Sequence, residues 1–371
     1  MQTVFLYGTL RDTVLRQRIV GGDLPVQEAT LQDHRVVRQV EANLPFLAKA
    51  EGFACAGLLL TDVTDQHMIR LDRYEAPFGY RARIVTVNTQ TGDVAALAYY
   101  PDPAIAATDD DWSLQSWADT LAPVSREAAV EIGRYDPPLS EEALRQQWGM
   151  IETRAAARVR AAESDIPATV RHDGGTFEVT ESGPLWGAFF KAGQIKLRHS
   201  VFGGGMSPEL TRECFYGTDA AIVLPYDPET DLVLLIEQIR MGPLARGDRN
   251  PWSLEAVAGM VDGRETPEDA ARRETLEEAG LDDTTLEKMF SFYASPGNTT
   301  DYFNCYLALA SLPEPNTYTG GLETEHEDLR IHIIPFKQAF DLIASGEANV
   351  GPTVAMLLWL DRNRQRLRAT A

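Results

Sequence analysis

The chain is poor in the residues that build cross-linked or metal-stapled folds. Its three cysteines, Cys55, Cys214 and Cys305, are scattered and form no C-x-x-C pair. That excludes a disulfide framework and points to a reducing compartment. The six histidines, His34, His67, His172, His199, His326 and His332, include no H-x-x-x-H pair, so no helical zinc site is expected. No apolar run approaches a membrane-spanning length, and "MQTVFLYGTLRDT" has no basic segment followed by a long apolar run. A cytoplasmic protein with no membrane partner is expected. Positive charge is also short, 34 Lys and Arg against 55 Asp and Glu, for a net charge of −21. Such a surface repels a phosphate backbone, which argues against a nucleic-acid partner. A small anionic substrate stays open if a divalent cation sits between the two negative partners.

At 371 residues the chain exceeds what one hydrophobic core normally supports, so two domains are expected. Its 44% hydrophobic and 24% charged content is ordinary for a globular protein. The first third reads as short strands: "TVFLY" (Thr3–Tyr7) ends at Gly8, and "RARIVTVN" (Arg81–Asn88) alternates with the period of a half-buried strand. The turn "TQTGD" then leads into "VAALAYY" (Val94–Tyr100) as a hairpin. From Asp109, "DDDWSLQSWADTL" and "SREAAVEIGRY" read as short helices. "SEEALRQQWGMIETRAAARVRAAESD" (Ser140–Asp165) is a long polar helix with a serine cap, expected to connect the domains. Beyond it, "AAIVLPYD" and "DLVLLIEQIR" are strands, and "TVAMLLWLDRNRQRLR" is a closing helix whose apolar half should pack on the core.

The densest charge lies in "GMVDGRETPEDAARRETLEEAGL" (Gly259–Leu281), with five glutamates, two aspartates and three arginines. Thr266 can cap a helix with Pro267, Glu268 and Asp269 in its first turn, and Gly280 ends it. Glu274, Glu277 and Glu278 then project toward one side, where like charges repel by a few tenths of a kcal/mol per pair. A hard divalent cation, which takes carboxylate oxygens, would offset that repulsion.

The full spacing, Gly259-x5-Glu265-x7-Arg273-Glu274-x2-Glu277-Glu278-x-Gly280-Leu281, resembles the Nudix box at its fixed letters, with Thr275 at an aliphatic position. "LLIEQIR", "LEAVAGM", "SFYASPGNT" with Pro296, and "GLETEHEDLRIHII" extend the resemblance to the ADP-ribose pyrophosphatase branch, some of whose members carry a tellurite-resistance label. It covers roughly residue 177 to the carboxyl end. The resemblance implies an α/β/α sandwich that hydrolyses ADP-ribose to AMP and ribose 5-phosphate with Mg2+ or Mn2+. Another ADP-sugar or NADH is the alternative substrate. It also implies a homodimer, because members exchange the segment before the Nudix fold. Carried over residue by residue, Glu274, Glu278, Glu327 and the Ala258 carbonyl are metal ligands, with Glu277 beside them as a catalytic carboxylate. Glu325 is the general base, and Glu265 with Arg273 is a bracing ion pair. Arg212, Arg240, Met260 and Ser295 hold substrate, and Phe189 either stacks on adenine or packs in a core. Asp301 stands where the family carries a glutamate.

"VFLYGTLR" (Val4–Arg11) with "LDRYEAPFGYRARIVTV" (Leu71–Val87) resembles the γ-glutamylcyclotransferase-like (AIG2-like) fold. The implied site is the turn Tyr7-Gly8-Thr9-Leu10, offering amides to a carboxylate, with Glu75 shuttling a proton. Ala76 departs from the family's usual glycine, which leaves an active cyclotransferase and a recruited scaffold both open. The expected fold class is therefore α+β. A small β-barrel with helices over residues 1–135 is followed by a helical linker over 136–166 and a Nudix sandwich over 167–371.

Overall fold

Strands claim most of the first hundred residues because β-branched and aromatic residues alternate there between clusters of turn formers. A computed structural model describes residues 1–40, 42–165, 167–171, 175–321 and 328–369. It divides into two units, Met1–Glu213 and Cys214–Ala371. The first opens with β1 (Gln2–Leu6), α1 (Thr13–Val20), β2 (Val26–Gln39), β3 (Pro45–Val63), α2 (Asp65–Glu75), β4 (Tyr80–Thr89), β5 (Gly92–Pro101) and β6 (Ala107–Asp111). Strand order β3-β1-β5-β4-β2, with β2 returning to β3, closes a five-stranded barrel, and β6 hangs on its edge. The inward-facing residues Phe5, Tyr7, Leu31, Leu47, Leu59, Val87 and Ala98 fill the interior.

The expected hairpin is β4–β5, paired from Tyr80↔Pro101 to Thr89↔Gly92. Asp109–Asp111 is a strand, not the start of a helix. It lies antiparallel to β2, where Arg35 and Arg38 meet Asp109 and Asp110 at 3.1 and 3.2 Å. Cross-strand ion pairing offsets the poor strand propensity of three aspartates.

Three helices follow: α3 (Leu114–Thr120), α4 (Ala122–Gly133) and α5 (Glu141–Glu163), the last capped by Ser140. The long helix is tied to the helix before it. Arg154 donates to Glu131 of α4 at 2.6 and 3.0 Å, both side chains are 2% exposed, and Arg158 and Tyr135 complete the carboxylate's partners. Burying such charges is tolerable only when every partner is in place, so α5 is fixed to the first unit. A three-stranded sheet, β7 (Phe177–Trp186), β8 (Lys191–His199) and β9 (Leu210–Tyr216), comes next, and the division between the units falls within β9.

The second unit comprises β10 (Asp219–Asp227), β11 (Leu232–Ile239), α6 (Met241–Arg246), β12 (Trp252–Glu255), β13 (Val257–Met260), α7 (Pro267–Ala279), β14 (Thr285–Tyr293), β15 (Tyr302–Leu309), β16 (Asn316–Gly320), β17 (Leu329–Pro335), α8 (Phe336–Ser345) and α9 (Gly351–Ala369). The described strands order as β14-β15-β10-β11-β17-β16, with β13 beside β10 and β12 beside β11. Both faces of this sheet are covered, which is why β10 and β11 read as continuous apolar runs. Ala221, Val223, Leu234 and Ile236 face α7 with its Ala270, Ala271 and Ala279. The alternate residues Ile222, Leu224, Tyr226, Val233 and Leu235 face Met356, Leu357 and Leu360 of α9. Each such leucine contributes roughly 1.5–3 kcal/mol of burial. The late arginines of α9 do more than complement a helix end: Arg364 reaches Asp231 at 2.6 Å and Arg366 reaches Glu287 at 2.6 Å. The second unit is thus an α/β/α sandwich.

Candidate active site

Helix α7 forms where the sequence predicts it. Thr266 accepts from the Asp269 amide while the Asp269 carboxylate takes the Thr266 amide, and Gly280 closes the helix at φ 68°. Thr275, at the box's aliphatic position, is fully buried and donates to the Ala271 carbonyl at 2.6 Å, so its hydroxyl is satisfied inside the helix.

The helix delivers its glutamates to strand β13. Glu278, only 3% exposed, accepts the Ala258 amide at 3.0 Å. Glu274 lies so close to Gly259 that a Cβ there would sit 1.7 Å from its Oε1. Only glycine admits the carboxylate to the strand backbone. Glu265 and Arg273 form the expected ion pair at 2.7 Å, and Arg273 also reaches Glu274 (2.6 Å), Glu277 (3.0 Å) and the Met260 carbonyl (3.1 Å). Burial pushes Glu265 up, but the Arg273 hydrogen bond and charge, with the Asp262 amide, outweigh it and hold the carboxyl below its usual range. Hydrogen bonds and charges from Glu265, Glu274 and Glu277 hold Arg273 well above the ordinary guanidinium range.

Among the described residues no group of three or more acidic, histidine or cysteine side chains stands as a ready metal cage. The donor set nevertheless suits a hard divalent ion in kind: the Glu274 cradle at Gly259, buried Glu278, and Glu277 beside them supply carboxylate oxygens next to the β13 backbone.

Sheet register brings further expected residues to the same end of the sandwich. Met260 pairs with Ala220 and Tyr302 with Asp219, so β13 and the loop before β15 meet where β10 begins. Antiparallel β11 ends there, leading into Arg240. Arg240 is occupied by Glu255, its Nε donating at 2.8 and 3.0 Å and its Nη2 lying 2.6 Å away. Ser295 donates to Asn298 at 2.7 Å, and Asp301 accepts from Thr299 at 2.7 Å. Asp301 also packs against Gly217, where a Cβ would stand 1.5 Å from its Oδ1. Glu255 and Gly217 are contributors that sequence reasoning missed, since their partners lie 15 and 84 positions away. Phe189, exposed and edge-on to Phe190 at 5.0 Å, and exposed Arg212 belong to the first unit. Glu325 and Glu327 lie outside the described residues.

A second cluster sits in the barrel. After Tyr7, a Cβ on Gly8 would meet Pro45 at 2.5 Å, so the turn accepts only glycine. Arg16, 3% exposed, donates to the carbonyls of Leu10 and Arg11 at 3.0 and 3.2 Å and pins that turn, in which Thr9 is also buried. Glu75 is 8% exposed, and its carboxyl hydrogen-bonds to no described residue. Burial, with the nearby Asp72 charge, pushes its carboxyl up to about 8. Its charge is felt by Tyr7, Tyr74, Tyr80 and Tyr99, which places these rings around it. Tyr99 itself donates to Asp72 at 2.7 Å.

A family model described as NUDIX domain matches residues 217–355. An ADP-ribose pyrophosphatase of Escherichia coli is 38% identical over 193 residues, covering 52% of this chain and 90% of that protein. The chain belongs to the Nudix family. A Haemophilus influenzae ADP-ribose pyrophosphatase is 34% identical over 193 residues, 52% of this chain and 88% of its own. An Escherichia coli GDP-mannose pyrophosphatase is 33% identical over 149 residues, 40% and 76% of the two chains. A model described as gamma-glutamyl cyclotransferase, AIG2-like, matches residues 4–119, the barrel and its first helices.

No helix among the described residues is long and apolar enough to cross a membrane.

Proposed function

We propose that the second unit hydrolyses the diphosphate of ADP-ribose, giving AMP and ribose 5-phosphate, with Mg2+ as the preferred metal and Mn2+ as a substitute. The observation that carries this is the convergence of Glu274 and Glu278 on the backbone of β13 through Gly259 and Ala258. Glu274, Glu278 and the Ala258 carbonyl, with Glu327, would hold the metal, which when bound supplies Lewis-acid polarisation of the diphosphate. The chain's own part is positional. Arg273 and Glu265 brace the loop before the helix, and Arg240 and Met260 stand at the sheet end where the diphosphate would lie. Glu325 would take the proton from the attacking water.

A panel of ADP-ribose, ADP-glucose, NADH and GDP-mannose, run with Mg2+ and the purified full chain, tests the reading. ADP-ribose is expected to give a kcat/KM at least about tenfold above the rest, a margin worth about 1.4 kcal/mol. A higher value for any competitor would overturn the specificity.

One observation favours a second activity in the barrel, a glutamyl cyclotransferase. Glu75 is a buried carboxyl that holds its proton to about 8, as acid–base work near neutrality requires. Release of 5-oxoproline from γ-glutamyl peptides, abolished in Glu75→Gln, is the expected result. Stability gives a separate readout. An unfolded Glu loses its proton near pH 4.3, whereas folded Glu75 keeps it to about 8. Across that window the folded chain binds the extra proton, so this carboxyl's contribution is full at acid pH and lost as pH rises, by up to about 1.4 kcal/mol per unit. Denaturant titrations from acid to alkaline pH should show this slope in the wild type and not in Glu75→Gln. Identical slopes would mean that Glu75 is ionised normally.

A further inference from the structure

The first unit holds a cavity of about 230 Å3 between α1, α2 and α4, lined by Arg18, Ile19, Gly21, Arg70, Arg73, Tyr74, Ala129, Ile132 and Gly133. Its cationic side is unusual for so acidic a chain. Arg70 and Arg73 sit one turn apart on α2 and both line the cavity. Arg73 has no hydrogen-bond or ion-pair partner among the described residues, and Arg70 has only the Val20 carbonyl, to which its Nη1 donates. Burial and the neighbouring Arg70 charge both press the Arg73 guanidinium down from its ordinary range. The two carboxylates of α4 are committed elsewhere. Glu127 is shared by Arg18 at 2.8 Å and Arg158 at 3.3 Å, and Glu131 is taken by Arg154 and Arg158.

With 55 carboxylates against 34 Lys and Arg, acidic partners for two adjacent arginines were abundant, yet among the described residues no carboxylate pairs with either. Two like charges facing one cavity repel, and an anion bridging them removes the repulsion. Arginine's planar fork matches a phosphate oxygen pair. Ile19, Ala129 and Ile132 give the cavity apolar wall, suited to a compact organic body rather than water alone. The volume falls below the roughly 300–1,000 Å3 of sites for drug-sized ligands, which suits a sugar-phosphate-sized molecule and not a dinucleotide.

We propose that this three-helix pocket is a binding site for a small phosphomonoester, its phosphate held by Arg70 and Arg73 and its body against Ile19, Ala129 and Ile132. The pocket shares Tyr74 with the surroundings of Glu75 but includes neither Glu75 nor the α7 glutamates, and it does not depend on what either does.

Titration calorimetry on the full chain tests the proposal, in a chelator that keeps divalent ions from the α7 glutamates. The probes are ribose 5-phosphate, AMP and inorganic phosphate at constant ionic strength. Saturable binding of ribose 5-phosphate is expected, weakened at least about tenfold by Arg73→Met, the scale of losing a charge-assisted contact. Equal affinity for inorganic phosphate would support the anion site with free phosphate as occupant, and tighter AMP binding would support a nucleotide body. Arg73→Met removes a like charge and should melt no lower than the wild type. Should it fail to fold, Gly133→Met gives the same answer, because a Cβ at Gly133 meets open space and its side chain can fill the cavity. Absence of saturable heat with every probe, or affinity unchanged in a folded Arg73→Met or Gly133→Met, would overturn the proposal.

Discussion

Replacing Glu278 with glutamine should lower kcat for ADP-ribose by about 10²–10³-fold, the scale of losing one charged group that stabilises the transition state. The melting temperature should barely move. Glutamine has the shape of glutamate, and its carbonyl oxygen can still accept the Ala258 amide that Glu278 Oε2 takes at 3.0 Å. What it cannot supply is the charge, and its other terminal group would be an N–H donor where the proposed cation needs an oxygen. Because the side chain is nearly fully buried, no neighbouring water substitutes for the lost oxygen. Steady-state kinetics with circular-dichroism melts separate the outcomes. A folded Glu278→Gln with undiminished kcat would place the chemistry elsewhere, whereas a collapsed melting curve would make the residue structural.

Gly259→Ala should be nearly as damaging, by a different route. The added methyl would lie 1.7 Å from Glu274 Oε1 and 2.0 Å from its carboxyl carbon. Since no real contact is that short, either the carboxylate leaves the strand or the strand moves. Strand β13 is fixed to β10 from Ala220↔Met260 to Val223↔Val257, with Val257 in the core, so the carboxylate is the part that yields. Overpacking of this kind costs about 1–3 kcal/mol of stability. A reacting group displaced by an ångström costs about 10²-fold in rate. Denaturant midpoints and kcat measured together check both. Wild-type kcat in Gly259→Ala would show that the position of Glu274 is immaterial.

The two predictions rest on parts of the site that differ in how far sequence reveals them. Helix α7 is legible because its signals are local: the Thr266 cap, Pro267, the Gly280 stop and the eight-residue step from Glu265 to Arg273 all lie within one short segment. The β4–β5 hairpin and the Ser140 cap of α5 are legible for the same reason. The packing of α5 is not, because it depends on Arg154 finding Glu131 across 23 residues, whereas the sequence alone marks that helix only as polar and as a connector between domains. The strand at Asp109–Asp111 is hidden likewise, since its partners Arg35 and Arg38 belong to a strand some seventy residues earlier. Glu75 is singled out by its motif, but the tyrosines around it come from α2, the turn after β1, β4 and β5 and have no linear signature. Arg240 shows the converse: its position is readable, its engagement with Glu255 is not.

Arg273 touches Glu265, Glu274 and Glu277 at once. The chain therefore carries a tethered placeholder for positive charge among its own glutamates. Crowding that would unsettle an isolated helix is answered from within, so folding of this segment need not wait for any ion from solution. In that respect it is unlike the small metal-dependent domains that unravel when stripped.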